Sequence, residues 1–307
     1  MELREWALII FTVVMQMAVG AFAILGGVHF FASRRYGAQQ ADQMSDRALL
    51  AIGPLVVIAL LVTFFHLGNP LNAPRAITNL GTSWLSREIA LAVVFSLVGA
   101  VFAFMQWRKI ATPAVRNGLA LINALIGLAL VYAMANIYML PSIPAWNTLV
   151  TPVTFFITSL LLGALAISAA FAASFWYLKR KGMGELKVQF DILATTLRWI
   201  ALISMALMGV QFVVLPIYFG QLATTDNAAA AASLNIFFSQ QPLVLAIRLV
   251  LLFVGAGLLA LFVYNTAGVE KHVQRLSTLA YLAFALVLIA EVMGRFLFYE
   301  SMVRIGI

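Results

Sequence analysis

Polarity along the chain alternates on the scale of whole membrane crossings. Eight apolar runs, at approximately 6–32, 48–68, 87–107, 115–139, 151–177, 190–219, 242–264 and 276–299, are separated by segments holding most of the charged, Gly, Asn and Pro residues. Each run reaches the roughly 20 helical residues that cross a ~30 Å hydrocarbon core. None shows the period-2 alternation of a membrane barrel, and backbone in lipid must satisfy its own hydrogen bonds. The pattern therefore predicts an all-α integral membrane protein, a bundle of eight transmembrane helices in a single domain over residues 1–307. The first run far exceeds the ~7–15 apolar residues of a secretory signal and follows one Arg beside two Glu, so it reads as the first span.

Composition sharpens this picture at three points. A protein with 64% hydrophobic and 10% charged residues is not a soluble globular domain. The net charge of +8 would suit a nucleic-acid binder, but in a multi-span protein it reflects basic cytoplasmic loops, and no nucleic acid is expected. Twelve basic residues fall between spans 1–2, 3–4, 5–6 and 7–8: Arg34, Arg35, Arg47, Arg108, Lys109, Arg116, Lys179, Arg180, Lys181, Lys187, Lys271 and Arg275. Four, Arg4, Arg75, Arg87 and Arg304, lie on the other side, which places the twelve in the cytoplasm and predicts both termini on the outer side. The chain has no Cys, so any iron–sulfur centre must belong to a partner subunit.

The remaining charges lie where lipid would penalise them. A charged group at mid-membrane costs ~2.5–3.5 kcal/mol on insertion scales, so such residues usually face the bundle interior and mark function. His66 closes span 2, Glu88 opens span 3, Arg248 sits about two turns into span 7, and Glu291 and Arg295 lie in span 8, all in the outer half. Gly68 and Pro70 end the span at His66 and would open a lateral approach to its imidazole. Neutral imidazole is suited to bonding a hydroxyl and taking its proton, and Glu88 could complete a relay. Glu88 could instead be a first-turn carboxylate favoured by the helix dipole, capped by Thr82, Ser83 or Ser86, with Arg87 either neutralising it or facing headgroups. Glu291 and Arg295 have the spacing and order of a helical ion pair, Arg248 could pair with either carboxylate, and Tyr299 suits the interfacial aromatic belt.

The outer connections carry a further signal. The 140–150 stretch holds two prolines and Trp146, and the 220–241 stretch holds an Ala-rich helix former followed by Ile236, Phe237 and Phe238. Exposed aromatics there would suit a partner's docking face, or a segment lying among lipid headgroups. Haem between two histidines is not expected: His29 lies near the inner end of span 1, His66 near the outer end of span 2, and His272 in a cytoplasmic loop.

Five islands in this order carry a resemblance: HLGNP at 66–70, SREIA at 86–90, PAW at 144–146, TPVTFF at 151–156 and EVMGRFLFY at 291–299. Together they resemble the membrane-anchor subunit of the anaerobic dimethyl-sulfoxide reductase family over nearly the whole chain. The resemblance implies a haem-free anchor that oxidises menaquinol near the outer surface. Electrons would pass to a four-cluster iron–sulfur subunit and on to a molybdopterin catalytic subunit. By motif, His66 stands at the family's quinol-site histidine and Glu88 at the acidic residue after the next loop. The quinol site expected from this is His66, Gly68, Glu88, Arg248, Glu291 and Arg295, with His66 and Glu88 handling protons. Arg87, where the family has a polar uncharged residue, and a longer 178–190 loop depart from the pattern. Anchors of sulfite- or polysulfide-converting complexes look similar and would reduce quinone. A purely structural anchor or a secondary transporter would also fit eight apolar spans, though transporters usually place charges at the midplane of repeated halves.

Overall fold

The computed structural model describes residues 3–66, 77–258, 263 and 273–306, with side chains over 5–63, 78–257, 263 and 273–306. Its helices are α1 (Leu3–Tyr36), α2 (Ala38–His66), α3 (Trp84–Arg108), α4 (Pro113–Tyr138), α5 (Val150–Lys181), α6 (Leu186–Thr224), α7 (Ala228–Asn235), α8 (Pro242–Leu252) and α9 (Val273–Glu300). A 3₁₀ turn at Ile77–Asn79 precedes α3, and π-type turns at Ile236–Gln240 and Phe253–Leu258 extend α7 and α8. Seven of these helices, α1 to α6 and α9, are long and apolar enough to cross a membrane. The count becomes eight if Ala228–Gln240 and Pro242–Gly257, bent by 75°, form one broken span. The expected all-helical membrane bundle is therefore present among the described residues.

Local chemistry sets the boundaries. Ser83 caps α3 by accepting from the Ser86 backbone N–H at 3.3 Å, Thr112 caps α4 ahead of Pro113, and Asn227 caps α7 by accepting from the Ala229 N–H at 2.7 Å. Gly182 ends α5 with φ +62°, a left-handed turn in which glycine carries no Cβ penalty. Pro54 and Pro216 lie inside α2 and α6, which continue through them rather than breaking.

Two helices form the centre. In α1 and α5, 72% of the most apolar window is buried in the bundle, against 17% in α2 and α3, whose flanks are left for lipid. The central pair approaches backbone to backbone, because a Cβ at Gly20 would run into the Ser159 carbonyl and a Cβ at Gly163 into the Gly20 backbone. Lipid tails are as apolar as leucine, so helices in a membrane gain by close van der Waals approach through small residues. Ser159 adds a bond across the seam, its Oγ donating to the Gln16 carbonyl at 2.8 Å.

Trp6 at the start of α1 stacks on Phe296 near the end of α9, with ring centroids 6.1 Å apart. The two described chain ends therefore share one face of the bundle, called the terminal end below. The other face, the basic end, carries Arg34, Arg35, Arg108 and Lys179–Lys181 in the last turns of their helices.

The 220–241 stretch differs from its expectation. Ile236 and Phe237 are buried, and only Phe238 of that trio is exposed. Ser233 Oγ donates to the Ser301 carbonyl at 2.9 Å, folding α7 back onto the end of α9.

The α1–α5 seam supplies the first test. Gly163→Val is expected to lower thermal stability in detergent by at least the ~1–3 kcal/mol of ordinary overpacking, because the obstacle is backbone. Gly209→Ala, where a Cβ meets nothing within 4 Å, is expected to stay within about 0.5 kcal/mol of wild type. Equal melting of the two variants would contradict the seam.

Candidate functional site

The entry to α3 explains both its charged residues. Asn79 accepts backbone hydrogen bonds from Thr82 and Ser83 at 3.2 and 2.9 Å, and this turn delivers the chain to the Ser83 cap. Arg87 does not neutralise Glu88. Its Nε and Nη2 donate to the carbonyls of Leu80 and Gly81 at 2.8 and 2.6 Å, and its guanidinium lies 4.3 Å over the Trp84 ring. Because α3 begins at Trp84, Glu88 lies beyond the first turn, and the dipole-favoured first-turn position is not the one it occupies. Its side chain is buried, 7% exposed. His66 is the last described residue of α2; its imidazole and Gly68 lie outside the described side chains, as does the HLGNP connection beyond the helix end.

Next to Glu88 stands a tyrosine pair. Tyr138, the last residue of α4, and Tyr299, near the end of α9, share a hydrogen bond of 2.7 Å between their hydroxyls. Glu88 and Arg295 are both close enough to act electrostatically on both phenols. An aromatic box holds the pair: Trp146 stacks on Phe298 at 5.1 Å and 11°, and Tyr138 meets Trp146, Phe155 and Phe298 at 5.2–5.7 Å. The box is pinned by hydrogen bonds, Trp146 Nε1 donating to the Phe298 carbonyl and Thr151 Oγ1 to the Trp146 carbonyl, each at 2.7 Å. Tyr299, expected in the interfacial belt, is thus engaged within the bundle, because Tyr138 offers its hydroxyl a partner there.

Beyond the tyrosines lies the third polar group. Arg295 Nη2 donates to Gln16 Oε1 at 2.8 Å, and its guanidinium sits 3.8 Å over the Phe155 ring. Glu291 Oε2 accepts from Thr158 Oγ1 at 2.6 Å. The expected Glu291–Arg295 ion pair is not formed: among the described residues the ion pairs within 4.0 Å are His29–Asp42, Lys109–Asp42 and Lys109–Asp46. The i,i+4 spacing permits the pair, but partners on α1 and α5 hold both side chains elsewhere. Arg248 likewise pairs with neither carboxylate, and its guanidinium occupies the space that a side chain at Gly294 would need.

Arg248, Glu291 and Arg295 meet on one cavity of about 70 Å³, lined also by Thr151, Thr154, Thr158 and Tyr218. Arg248 Nε and Glu291 Oε1 are buried without a partner. At ~10–15 Å³ of such volume per water, the cavity suits a few waters; ligand pockets run to ~300–1,000 Å³. Glu88 is not among its walls. The site is therefore a polar band at the terminal end, running from Glu88 through the tyrosine pair to Arg295 and on to a small polar chamber. Gln16, Thr158, Tyr138 and Gly294 were not legible as members, although Gln16 is conspicuous as a polar residue within the first apolar run. No group of three His, Cys, Asp or Glu able to hold a metal occurs among the described residues.

Comparison with known proteins gives one consistent result. The DMSO reductase anchor subunit (DmsC) family matches residues 1–300. The sequence is 31% identical over 172 residues to the anaerobic dimethyl sulfoxide reductase chain YnfH of Escherichia coli, a match over 56% of this chain and 59% of that protein. It is 31% identical over 169 residues to a chain of the anaerobic dimethyl sulfoxide reductase of Haemophilus influenzae, over 55% and 58%. It is also 31% identical over 188 residues to one of the sulfite dehydrogenase subunits of Allochromatium vinosum, over 55% of each. These matches span less than two thirds of each relative's length.

The role of Arg295 in holding this band together is testable by substitution. Arg295→Met removes a desolvated cation–π contact and a charged hydrogen bond and is expected to cost roughly 2–4 kcal/mol of thermal stability in detergent. Arg295→Lys, which keeps the charge but not the flat guanidinium, is expected to fall between that variant and wild type. A loss below about 0.5 kcal/mol for Arg295→Met would contradict this role.

Proposed function

Since the chain belongs to the DMSO reductase anchor subunit family, we propose that it is the quinol-oxidising membrane anchor of a respiratory molybdopterin oxidoreductase complex. The observation that carries this reading is Glu88, a buried carboxylate at one end of a membrane bundle. Leaving a carboxylate in such a place is costly unless it serves a purpose. A purely structural anchor would give it none.

In this reading the terminal end faces the periplasm, following the bias of basic residues toward the other end. A menaquinol headgroup binds between α2, α3 and α9, one hydroxyl bonded to His66. Oxidation of the quinol to quinone releases two protons and two electrons. His66 takes the first proton, and Glu88 passes it toward the periplasm. The tyrosine pair and the chamber beside Arg248 and Glu291 offer hydroxyls and water for the exit. The positive Arg248 and Arg295, which line the chamber together with Glu291, favour negative charge developing on the quinol oxygen. Both electrons leave to an iron–sulfur subunit docked on the terminal end, which feeds the molybdopterin subunit. The protons released come from quinol itself, so the anchor adds no pumping of its own.

The similarity to a sulfite dehydrogenase component supports a second reading, in which the same site runs backwards and reduces quinone. Initial rates measured in both directions on the assembled complex separate the two.

Glu88→Gln keeps the shape and removes the proton acceptor. With its partners assembled, this variant and His66→Ala are each expected to lose about 10²-fold or more in quinol oxidation, the range of general acid–base catalysis. Tyr299→Phe is expected to lose less, with a changed pH profile. Oxidation surviving in both Glu88→Gln and His66→Ala would leave only the plain-anchor reading.

A further inference from the structure

The basic end holds a larger cavity that the quinol reading does not use. It measures about 460 Å³, within the ~300–1,000 Å³ of small-molecule sites. Its wall combines apolar and aromatic residues, Phe22, Phe30 and Phe102 among them, with the polar Ser45, Asp46, His29 and Gln106. Phe30 and Leu121 of its wall are exposed whereas Phe22, Ser45 and Gln106 are buried, so the cavity reaches from the surface into the bundle.

The polar part of the wall is built and its charges are satisfied. Asp42 accepts from His29 Nε2 at 2.9 Å, from Gln106 Nε2 at 3.0 Å and from Lys109 at 2.7 Å, and Asp46 accepts from Gln106 and Lys109, each at 2.8 Å. Ser45 is 5% exposed, and its Oγ is buried with no hydrogen-bond partner. A buried hydroxyl left unbonded beside a satisfied network calls for an oxygen or nitrogen from outside the chain. Gly26, Gly27 and Gly118 complete the wall, and a Cβ at any of them would meet nothing within 4 Å. At these positions the absence of a side chain leaves the space open.

We infer that this cavity is a second binding site for a quinone-class ring, distinct from the site of oxidation. A phosphate headgroup would require a free cation; among the described residues no Lys or Arg lines the cavity, and Lys109 behind it is taken by Asp42 and Asp46. Hydrogen-bonding Ser45, His29 and Gln106 among three phenylalanines fit a flat ring that carries oxygens, and the exposed Phe30 and Leu121 in the wall leave its hydrocarbon tail a way into lipid. The choice of quinone among such rings rests on the functional reading above. No electron transfer is assigned to the site; it holds the ring.

The test uses the assembled complex in membranes and a short-tailed azidonaphthoquinone as the probe, with labelled peptides mapped by mass spectrometry. Two labelled regions are expected, one at the terminal end and one on the peptides around Gly27 and Phe102. Gly27→Leu, whose side chain would fill the cavity, is expected to abolish the second label and leave the first. Ser45→Ala is expected to weaken protection of the second region by free naphthoquinone roughly two- to tenfold, the worth of one hydrogen bond, and it stands alone if Gly27→Leu does not assemble. Label at the terminal end with none at the basic end overturns this inference and leaves the functional reading intact; the reverse pattern overturns the functional reading alone. A phospholipid that co-purifies with wild type, is lost in Gly27→Leu and is not displaced by naphthoquinone also overturns it.

Discussion

The close crossing of α1 and α5 is the contact on which the terminal end depends. Gly20 and Gly163 carry no side chains at the point where the two backbones meet, and that absence lets Ser159 reach the Gln16 carbonyl. Gln16 lies one turn from Gly20, so the seam also sets where its amide points. That amide receives Arg295 of α9, whose guanidinium lies on Phe155 of α5. Three helices are thus registered by one steric fact and two hydrogen bonds. In lipid this is an effective way to fix a bundle, since apolar surface alone does not distinguish one rotation of a helix from another.

From that registration follows the separation of polar chemistry into two groups at opposite ends of the bundle. At the terminal end, Glu88, the tyrosine pair, Arg295 and the small chamber form a band in which several polar atoms are left unbonded. At the basic end, Asp42 and Asp46 are fully engaged by His29, Gln106 and Lys109, which join α1, α2 and α3. A satisfied network holds helices in place, and an unsatisfied one is available for chemistry. Proton handling is assigned to the terminal end, where a carboxylate oxygen, Glu291 Oε1, is left unbonded, while both carboxylates of the basic-end network are taken.

Hydropathy made the helices legible, because lipid imposes a length and a composition that few other environments impose. Glu88 was legible for a related reason: a lone carboxylate in an apolar run is expensive. What the sequence misdirected was pairing. The spacing of Glu291 and Arg295 is that of an ion pair on an isolated helix, and in the bundle Thr158 and Gln16, each more than 130 positions away in sequence, take the two side chains instead. The same holds for Tyr138 and Tyr299, which are 161 positions apart and meet only because α4 and α9 end side by side. Arg87 needed the structure, which sets it on the carbonyls of its own turn rather than on Glu88. Phe237 suggested an exposed face because the fold-back of α7 through Ser233 is a tertiary event with no local signature.

The central claim is that quinol is oxidised at the terminal end and gives up its protons there. Proton release during quinol oxidation, followed with a pH indicator confined to one side of vesicles holding the complex in a single orientation, tests it most directly. Two protons per quinol are expected to appear on the side of the terminal end, without delay relative to oxidation. Protons appearing on the basic side, or taken up from it in step with turnover, would contradict it.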